Sequence, residues 1–261
     1  MQALKIAATG MSAQQTRVDV TSNNIANMST TAYDRRRASF ADLHYQVLRA
    51  PGTLSAQSGE RLPVGVELGF GVGTVAVAVD RRQGALRATG GELNVAVEGD
   101  GYFEVELPGG GTAFTRDGAF QLSADGVVVN QQGFTLADAI TVPQDARAIE
   151  ISADGTVTAV FEDGARIEQL GEIALARFVN APGLTALGDN LFLETEASGP
   201  ALRDQPGIDG RGFLRQGFLE DSSVDVVAEI TELIEAQRGY ELNARVLAAA
   251  DEMLGATARI R

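Results

Sequence analysis

Apolar residues near both ends of the chain recur at alternating steps of four and three residues, the spacing of a helix with one narrow apolar stripe. The N-terminal stripe, within residues 1–27, consists of Met1, Leu4, Ala8, Met11, Val18 and Ile25. The C-terminal stripe consists of Val226, Ile230, Leu233, Tyr240, Ala244, Leu247, Leu254 and Ala258, with Gln237 and Asp251 in its two remaining positions. The pattern predicts one helix at each end of the chain. Each narrow stripe needs a partner, and the two stripes can supply it to each other.

The predicted C-terminal helix also carries signals at its ends. Ser222 with Asp225 three residues later resembles a capping box, and Arg259 and Arg261 at the other end complement the helix dipole. At ~1.5 Å per residue, about forty residues would reach roughly 60 Å, which is longer than one ordinary domain needs. The excess length is predicted to pack on something else. Polar Gln237 in the stripe either sets the helix register or lies in solvent.

Between residues 74 and 196 the pattern changes to short runs in which apolar and polar residues alternate. The runs are TVAVAV, LNVAV, YFEVEL, GVVVN, IEI, TVTAVF and LARFV. A period of two with close turns predicts antiparallel strands. The Asp-Gly pairs at 117–118, 125–126, 154–155 and 163–164 are predicted hairpin turns, because glycine accepts positive φ and aspartate bonds its own backbone. Their irregular spacing argues against calcium loops.

Two segments join these regions. Residues 41–73 lose periodicity and are rich in Gly and Pro, which predicts an extended arm with only a hint of helix at Leu43, Val47 and Leu48. A Gly-rich segment before the last helix indicates a return strand. The predicted fold class is α+β, with a coiled-coil-like helical assembly domain (1–30 and 221–261), an extended arm and connector (31–73 and 199–220) and a central, mainly antiparallel β domain (74–198).

The arm offers candidate anchors for contacts with neighbouring subunits. They are Val47, Leu48, Pro51, Leu54, Leu62 and Pro63. The apolar side chains suit pockets, and the prolines limit the conformations of the arm and so reduce the entropy lost on docking. We expect this segment to wedge between subunits. The alternative is a solvated linker, whose length would matter little.

Composition limits the classes of partner. The chain of 261 residues is 44% hydrophobic and can bury a core, and its 30 glycines with no Trp indicate a light, turn-rich one. The formal net charge is −14, and Arg35, Arg36 and Arg37 form the only short cationic run. This balance argues against nucleic acid and against an anionic membrane surface as partners.

Catalytic, metal and export signals are weak. The absence of cysteine excludes disulfides and thiolate chemistry, and no apolar run or secretory signal is found, so export would have to keep the first residue. His44 is the only histidine and lies in the arm, and the run GFGVG lacks nucleotide-loop spacing. Glu104 and Glu106 share one strand face without further support. We predict no enzyme activity, no metal and no cofactor.

Three segments carry a resemblance to a known family. VTSNNIANMSTTAY (20–33) resembles the N-terminal motif of the bacterial flagellar rod and hook family. LEDSSVDVVAEITELIEAQRGYELNARVLAAADEML (219–254) is similar to the family's C-terminal motif, and VAVEGDGYFEVELPGGGTAFTRDGAFQLSADGVVVNQQGF (95–134) to its β domain. The three segments occur in order and the similarity covers essentially the whole chain. Within the family, the length and the arm resemble the distal rod more than the proximal rod or hook.

The resemblance implies a structural axial protein that polymerises helically and transmits torque as a rigid drive shaft. It also implies export by the flagellar type III apparatus without signal cleavage, a periplasm-spanning rod, and proximal rod, hook, P-ring, L-ring and rod cap proteins as neighbours. Hook or proximal rod is the alternative within the family, and a secreted β-rich enzyme or adhesin is the alternative outside it. Two residues depart from the family pattern. Ala32 stands where Gly is common and so does not predict a positive-φ turn, and Gly239 stands where Ala is usual.

Overall fold

The computed structural model describes residues 2–52, 63–161 and 166–259. The chain forms two compact units, which we describe separately. The helical unit combines Met1–Ala26, Arg36–Val79 and Asp225–Arg261, and the β unit combines Asn27–Arg35 and Asp80–Val224. The two terminal segments therefore belong to the same unit.

The helical unit contains two helices and two strand pairs. Its elements are α1 (Gln2–Ala26), β1 (Arg36–Asp42), β2 (Tyr45–Arg49), β3 (Val66–Gly69), β4 (Val72–Val79) and α2 (Val226–Arg259). Strand β1 pairs antiparallel with β4, and β2 pairs antiparallel with β3. The β2–β3 hairpin holds the described part of the predicted arm.

The β unit is built from short strands. They are β5 (Leu86–Ala88), β6 (Val95–Glu98), β7 (Phe103–Glu106), β8 (Thr112–Thr115), β9 (Gln121–Leu122), β10 (Val128–Val129), β11 (Ala146–Ile151), β12 (Thr156–Phe161), β13 (Ile167–Glu172), β14 (Leu175–Arg177), β15 (Thr185–Gly188), β16 (Leu191–Leu193), β17 (Leu202–Asp204), β18 (Phe213–Gln216) and β19 (Phe218–Glu220), with one 3₁₀ turn at Ala181–Gly183. The largest sheet has the order β15-β16-β8-β7, and a second has the order β11-β12-β13. Every named pairing is antiparallel.

The large buried apolar side chains of the described residues all lie in the β unit. The main cluster includes Val95, Val97, Phe103, Val105, Leu136, Ile140, Ile173 and Leu175. A second cluster joins Tyr102, Phe114, Phe178, Leu184 and Phe192. At about 1.5–3 kcal/mol for each large apolar side chain that is fully buried, these clusters can stabilise the β unit by themselves.

The coarse prediction from the sequence is confirmed: one helix at each end and a central, mostly antiparallel β region make an α+β fold. The start of the last helix was predicted wrongly. Asp225 caps α2, because its Oδ1 accepts hydrogen bonds from the backbone N–H groups of Val227 (3.0 Å) and Ala228 (3.2 Å). Ser222 is not the cap, and its hydroxyl accepts a bond from the N–H of Val224 instead.

Two of the four predicted Asp-Gly turns join antiparallel neighbours. The turn at 125–126 lies between β9 and β10, and the turn at 154–155 lies between β11 and β12. Gly126 and Gly155 have φ of 78° and 94°, as such turns require. The pair at 117–118 is no hairpin turn, because its flanking strands β8 and β9 pair with other strands. The pair at 163–164 lies outside the described residues.

The hint of helix in the arm was also wrong. Val47 and Leu48 belong to strand β2, in which Val47 lies opposite Glu67 of β3. Leu43 lies between β1 and β2, outside any helix. The β-branched and aromatic residues of this segment find a partner strand about twenty residues later, and cross-strand pairing of this kind outweighs a weak helical spacing.

Residues 202–220 of the predicted connector form strands β17 to β19, which pair with β14, β6 and β5 in the β unit. Within the part of the chain that the structure describes, no helix is both long enough and apolar enough to cross a membrane.

Candidate functional site

The two terminal helices lie against each other in antiparallel fashion. Gly10 of α1 faces Asn243 of α2, and Gln14 of α1 faces Gly239 of α2. A Cβ atom added to Gly10 would lie 2.9 Å from Asn243 Oδ1, and one added to Gly239 would lie 3.0 Å from Gln14 Cδ. The departure from the family pattern at Gly239 therefore has a structural reason: this glycine makes room for a side chain of the opposite helix.

A buried polar clamp holds the other end of the pair. Asn24 is 1% exposed and Glu229 is 0% exposed. The Asn24 side chain donates to Glu229 Oε2 (3.0 Å) and to the carbonyl of Arg36 (2.8 Å), and it accepts from the N–H of Arg36 (2.9 Å). One amide thereby ties α1, α2 and the start of β1 together.

The helix contact is made by small and polar residues. On α1 it follows Ala7, Gly10, Gln14, Thr21 and Asn24, and on α2 it follows Glu229, Ala236, Gly239, Asn243 and Ala250. These residues also recur at steps of three and four, one position before the predicted apolar stripes. The apolar pattern does not mark them, because several of them are polar, although glycine and alanine at such spacing signal a close helix approach.

The predicted stripe residues lie beside this contact. Leu4, Met11, Val18, Ile25, Val226, Leu233 and Leu247 are half-buried, whereas Ile230, Gln237, Tyr240 and Leu254 are exposed. The structure brings some of them together: Gln15, Val18, Gln237, Tyr240 and Glu241 line a groove of about 420 Å³. Met1 and the side chain of Ala258 lie outside the described residues. The assembly role of the stripes stays a prediction.

The helical unit has almost no apolar core of its own. Among its described residues, the buried apolar side chains are Ala7, Ala13, Ala236 and Ala250. Most of the large apolar side chains that are exposed in the described chain belong to this unit, including Val75, Leu242 and Met253. Its fully buried larger side chains are polar ones, Asn24 and Glu229. A unit of this kind presents apolar surface instead of burying it.

Residues of the GFGVG run hold α1 against the sheet. The Thr9 hydroxyl donates to the carbonyl of Ile6 (2.8 Å) and accepts from the N–H of Val72 (3.3 Å). Gly71 has φ of 110°, and a Cβ there would overlap the Thr9 hydroxyl. The run thus docks α1 at the start of β4.

The candidate arm residues are exposed where the structure describes them. Val47 is 52% exposed and Leu48 is 54% exposed, so the hairpin carries exposed apolar surface. Pro51 and Pro63 are also exposed. Leu54 and Leu62 lie outside the described residues. The wedge role stays a prediction.

Buried ion pairs form a second cluster, inside the β unit. Asp34 pairs with Arg81, whose guanidinium lies 4.5 Å from the ring centre of Phe192. Arg116 Nε donates to Glu220 Oε2 (2.9 Å). Burial raises the pKa of the Asp34 carboxyl, and the positive charge of Arg81 opposes that shift. The charges of the cluster are paired with each other, so we assign it the structural task of tying residues 27–35 to the β unit.

The turn at Ala32 forms despite the lack of glycine. Ala32 has φ of 53° and is 6% exposed, and its N–H donates to the carbonyl of Glu220 (2.8 Å). A non-glycine residue in the left-handed region costs of order 1 kcal/mol or more, and the buried hydrogen bond offsets this strain. The expectation drawn from the Gly-to-Ala departure was therefore wrong.

The residues considered for catalysis are not brought together. His44 is exposed in the helical unit. In the β unit, Glu104 Oε2 lies 3.6 Å from Arg203 Nε and forms an ion pair with it. Among the described residues, no group of three or more His, Asp and Glu side chains is placed to hold a metal ion.

Comparison with known families gives matches along most of the chain. Residues 4–33 match the family described as flagella basal body rod protein, residues 96–159 match the flagellar hook protein FlgE/F/G D1 domain, and residues 215–260 match the flagellar basal body rod FlgEFG protein C-terminal family. The three matches fall on the segments that carried the resemblance. They include most of α1, all of α2 and the centre of the β unit.

Several curated relatives are similar over essentially their full length. The flagellar basal-body rod protein FlgG of Caulobacter vibrioides is 46% identical over 261 residues, which is all of both chains. The FlgG proteins of Agrobacterium fabrum and Bacillus subtilis are 46% and 36% identical, with 97% of each chain covered in both cases. FlgF of Caulobacter vibrioides is 32% identical over 91% of this chain and 90% of its own. These relatives are structural rod proteins, which agrees with the expectation of no enzyme activity, and the chain belongs to the FlgG family of flagellar basal-body rod proteins.

Proposed function

We propose that this chain polymerises helically into the distal rod of the flagellar basal body and transmits torque as a rigid shaft. The observation that carries the proposal is the composition of the helical unit, whose buried apolar side chains among the described residues are four alanines. Alanine burial contributes little, because few apolar atoms leave water. The unit gains most of its stability only when other copies cover its apolar surface.

The apolar stripes are the proposed contact surfaces. In each subunit the helices approach through small and polar residues, so Met11 and Val18 on α1 and Leu233 and Leu247 on α2 remain available beside that contact. Covering these stripes with helices of neighbouring copies would produce coiled-coil-like packing in the polymer. Gln237, in the groove between the stripes, would then set the register.

The remaining parts of the chain receive roles that follow from this assembly. Segments 1–30 and 221–261 form the helical assembly domain, the arm wedges between subunits, and residues 74–198 form the β domain. The relatives are rod proteins, which supports assembly with other rod and hook components. We assign as neighbours the proximal rod, the hook, the P-ring and L-ring proteins and the rod cap. The rod would span the periplasm after export by the flagellar type III apparatus.

The higher identity to FlgG than to FlgF of the same organism supports the distal rod over the proximal rod. An enzyme or adhesin built on this fold would instead function as a stable monomer, and the exposed apolar surface of the helical unit argues against that.

Charge placed in a stripe tests the proposal. We expect Leu233→Asp and Leu247→Asp to prevent polymerisation of the purified protein, because an unpaired carboxylate would enter an apolar contact at a cost of several kcal/mol. Thr231→Asp is the control: it places the same carboxylate on the same helix, at an exposed polar residue on the opposite flank of the α1 contact. Light scattering and electron microscopy would follow rod formation.

The β unit should keep its thermal transition in all three variants, since none of the substitutions lies in it. Normal rods from Leu233→Asp and Leu247→Asp would contradict the assignment of the stripes. If all three variants failed equally, the contact surface would not be the stripes alone.

A further inference from the structure

A polar cavity of about 350 Å³ lies beside α1 in the helical unit, between that helix and strands β1 and β4. Its walls include Gly10, Ala13 and Thr21 of α1, Val72 of β4 and Glu232 of α2. Three arginines also line it, Arg17, Arg36 and Arg37. Three arginines around one cavity are unusual in a chain whose formal net charge is −14.

The positive charge of the cavity is only partly compensated. Arg17 Nη2 lies 3.2 Å from Glu235 Oε2 and forms an ion pair with it. The guanidinium groups of Arg36 and Arg37 form no ion pair with any described residue. The cavity is thus lined by three arginines and by Glu232, and of the three arginines only Arg17 has an ion-pair partner among the described residues, Glu235.

The wall of the cavity also contains an unused hydrogen-bonding group. Gln14 Oε1 is buried and has no hydrogen-bond partner among the described residues. Rotation of this amide about its last bond would offer an N–H donor in its place, so the group can serve an anion together with the arginines. A cavity of this chemistry suits a carboxylate, because arginine donors match carboxylate oxygens in a planar fork.

The same unit carries acidic side chains on a projecting helix end. Ala250 is 5% exposed, while residues 251–256, which follow it in α2, are all exposed. From Asp251 to Arg259 the helix continues for about 13 Å at ~1.5 Å per residue. Asp251 and Glu252 form no ion pair with a described residue, and Met253 beside them is 65% exposed. This end of α2 extends past the α1 contact.

We propose that the arginine cavity of one subunit receives the Asp251 and Glu252 carboxylates of a second copy. The inference rests on the proposed function, since it names one contact of that polymer. Cavity and helix end are different surfaces of the same chain, so the contact is head-to-tail and generates an open assembly wherever the rotation does not close a ring. Each copy is highly acidic, so most pairs of surfaces on two copies repel each other. The cavity and the helix end carry opposite charges and attract, and this difference fixes which surfaces meet.

Charge reversal with second-site rescue tests the contact. We expect Arg36→Glu with Arg37→Glu to raise the critical concentration for polymerisation at least about tenfold, since close charge pairs at interfaces couple by 1.4 kcal/mol or more. Adding Asp251→Lys with Glu252→Lys should restore polymerisation to within about threefold of wild type. Arg147→Glu with Arg166→Glu, two exposed cations of the β unit, is the control of equal charge change and should behave like wild type.

Cross-linking tests proximity directly, because the natural chain has no cysteine. Under a mild oxidant, assembled Ala38→Cys/Glu252→Cys protein should form a ladder of disulfide-linked multimers. Ala38 lines the cavity, and Arg245, which is exposed on α2 outside the stripe groove, supplies the control Ala38→Cys/Arg245→Cys, which should remain monomeric on a denaturing gel.

Failure of the proposed contact and failure of the proposed function would give different results. Normal polymerisation of the Arg36/Arg37 double variant would overturn the contact while leaving the proposed polymer intact. Loss of polymerisation without rescue, together with no ladder from the Glu252 cysteine, would overturn the helix end as occupant. Failure of the wild-type protein to polymerise under any condition would instead overturn the proposed function.

Discussion

Two glycines in α2 lie in different surroundings although both sit inside a helix. A Cβ at Gly239 would come within 3.0 Å of Gln14, whereas nothing lies within 4 Å of the position that a Cβ would take at Gly255. We expect Gly255→Ala to lower the critical concentration for polymerisation, because alanine favours the helix by about 1 kcal/mol. Gly239→Ala should raise it, because the helix preference is offset by the crowded contact with α1.

Helical circular dichroism of the unassembled protein provides the control for this pair. Both substitutions should increase helicity equally while the helices are unpacked, since the propensity gain is the same. If Gly239→Ala polymerised as readily as Gly255→Ala, the close approach of the helices at Gly239 would not persist in the rod.

Residue-scale features were the hardest to predict from the sequence. Ala32 adopts φ of 53° because a buried hydrogen bond to Glu220 holds it there, and a partner 188 residues away leaves no local signal. Asn24 gave no apolar or catalytic signal either, although its amide joins three elements. Tertiary hydrogen bonds of this kind depend on which segments meet, so they become visible only with the fold.

At the scale of elements, the sequence predicted the existence of both helices and most strands but not the face of each helix that meets the other. The apolar stripe marks the surface that loses most from exposure to water. The helices nevertheless approach through Gly10 and Gly239, because small residues permit close backbones and allow the Asn24 to Glu229 bond. In a chain built for assembly, the most apolar face need not be the intrachain one.

The β2–β3 hairpin leads to a prediction about rod stiffness. Its exposed apolar residues, among them Val47 and Leu48, can fill space between two neighbours. We expect deletion of residues 46–63 to give a polymer that bends more easily, because subunits lose the contact that fixes their angle. Filament curvature in electron micrographs measures this effect.

The double variant Val47→Thr with Leu48→Thr distinguishes the effect of lost apolar packing on rod stiffness from the effect of a shorter chain. The hairpin keeps its residues and its strand propensity, but it loses apolar contact, so we expect an intermediate stiffness. An unchanged straight rod after the deletion would instead assign the segment to a solvated linker, whose shortening has a small entropic effect.

At the scale of the whole molecule, apolar burial is divided unequally between the two units. The β unit encloses Phe103, Leu136 and Ile140, whereas the described residues of the helical unit bury only alanine among apolar types. Composition alone predicted that the chain buries an apolar core. It could not predict which part of the chain holds that core, because both units contain many hydrophobic residues. Folding of the β unit should therefore show a thermal transition that does not depend on protein concentration. Ordering of the helical unit should increase with protein concentration, because it requires contacts with other copies.

Hydrogen exchange of monomer and polymer tests that division. In a verified monomer we expect the amides before Asn27 and after Ser222 to exchange fast, because the alanine contacts and the Asn24 clamp offset only part of the entropy of ordering two long helices. The amides of β7 and β8 should be protected in the same sample, since they lie in the apolar core. On polymerisation, protection should appear in α1 and α2 and change little in the core strands. Helices that are equally protected in monomer and polymer would mean that the helical unit is stable alone, and the exposed stripes would then need another explanation than assembly.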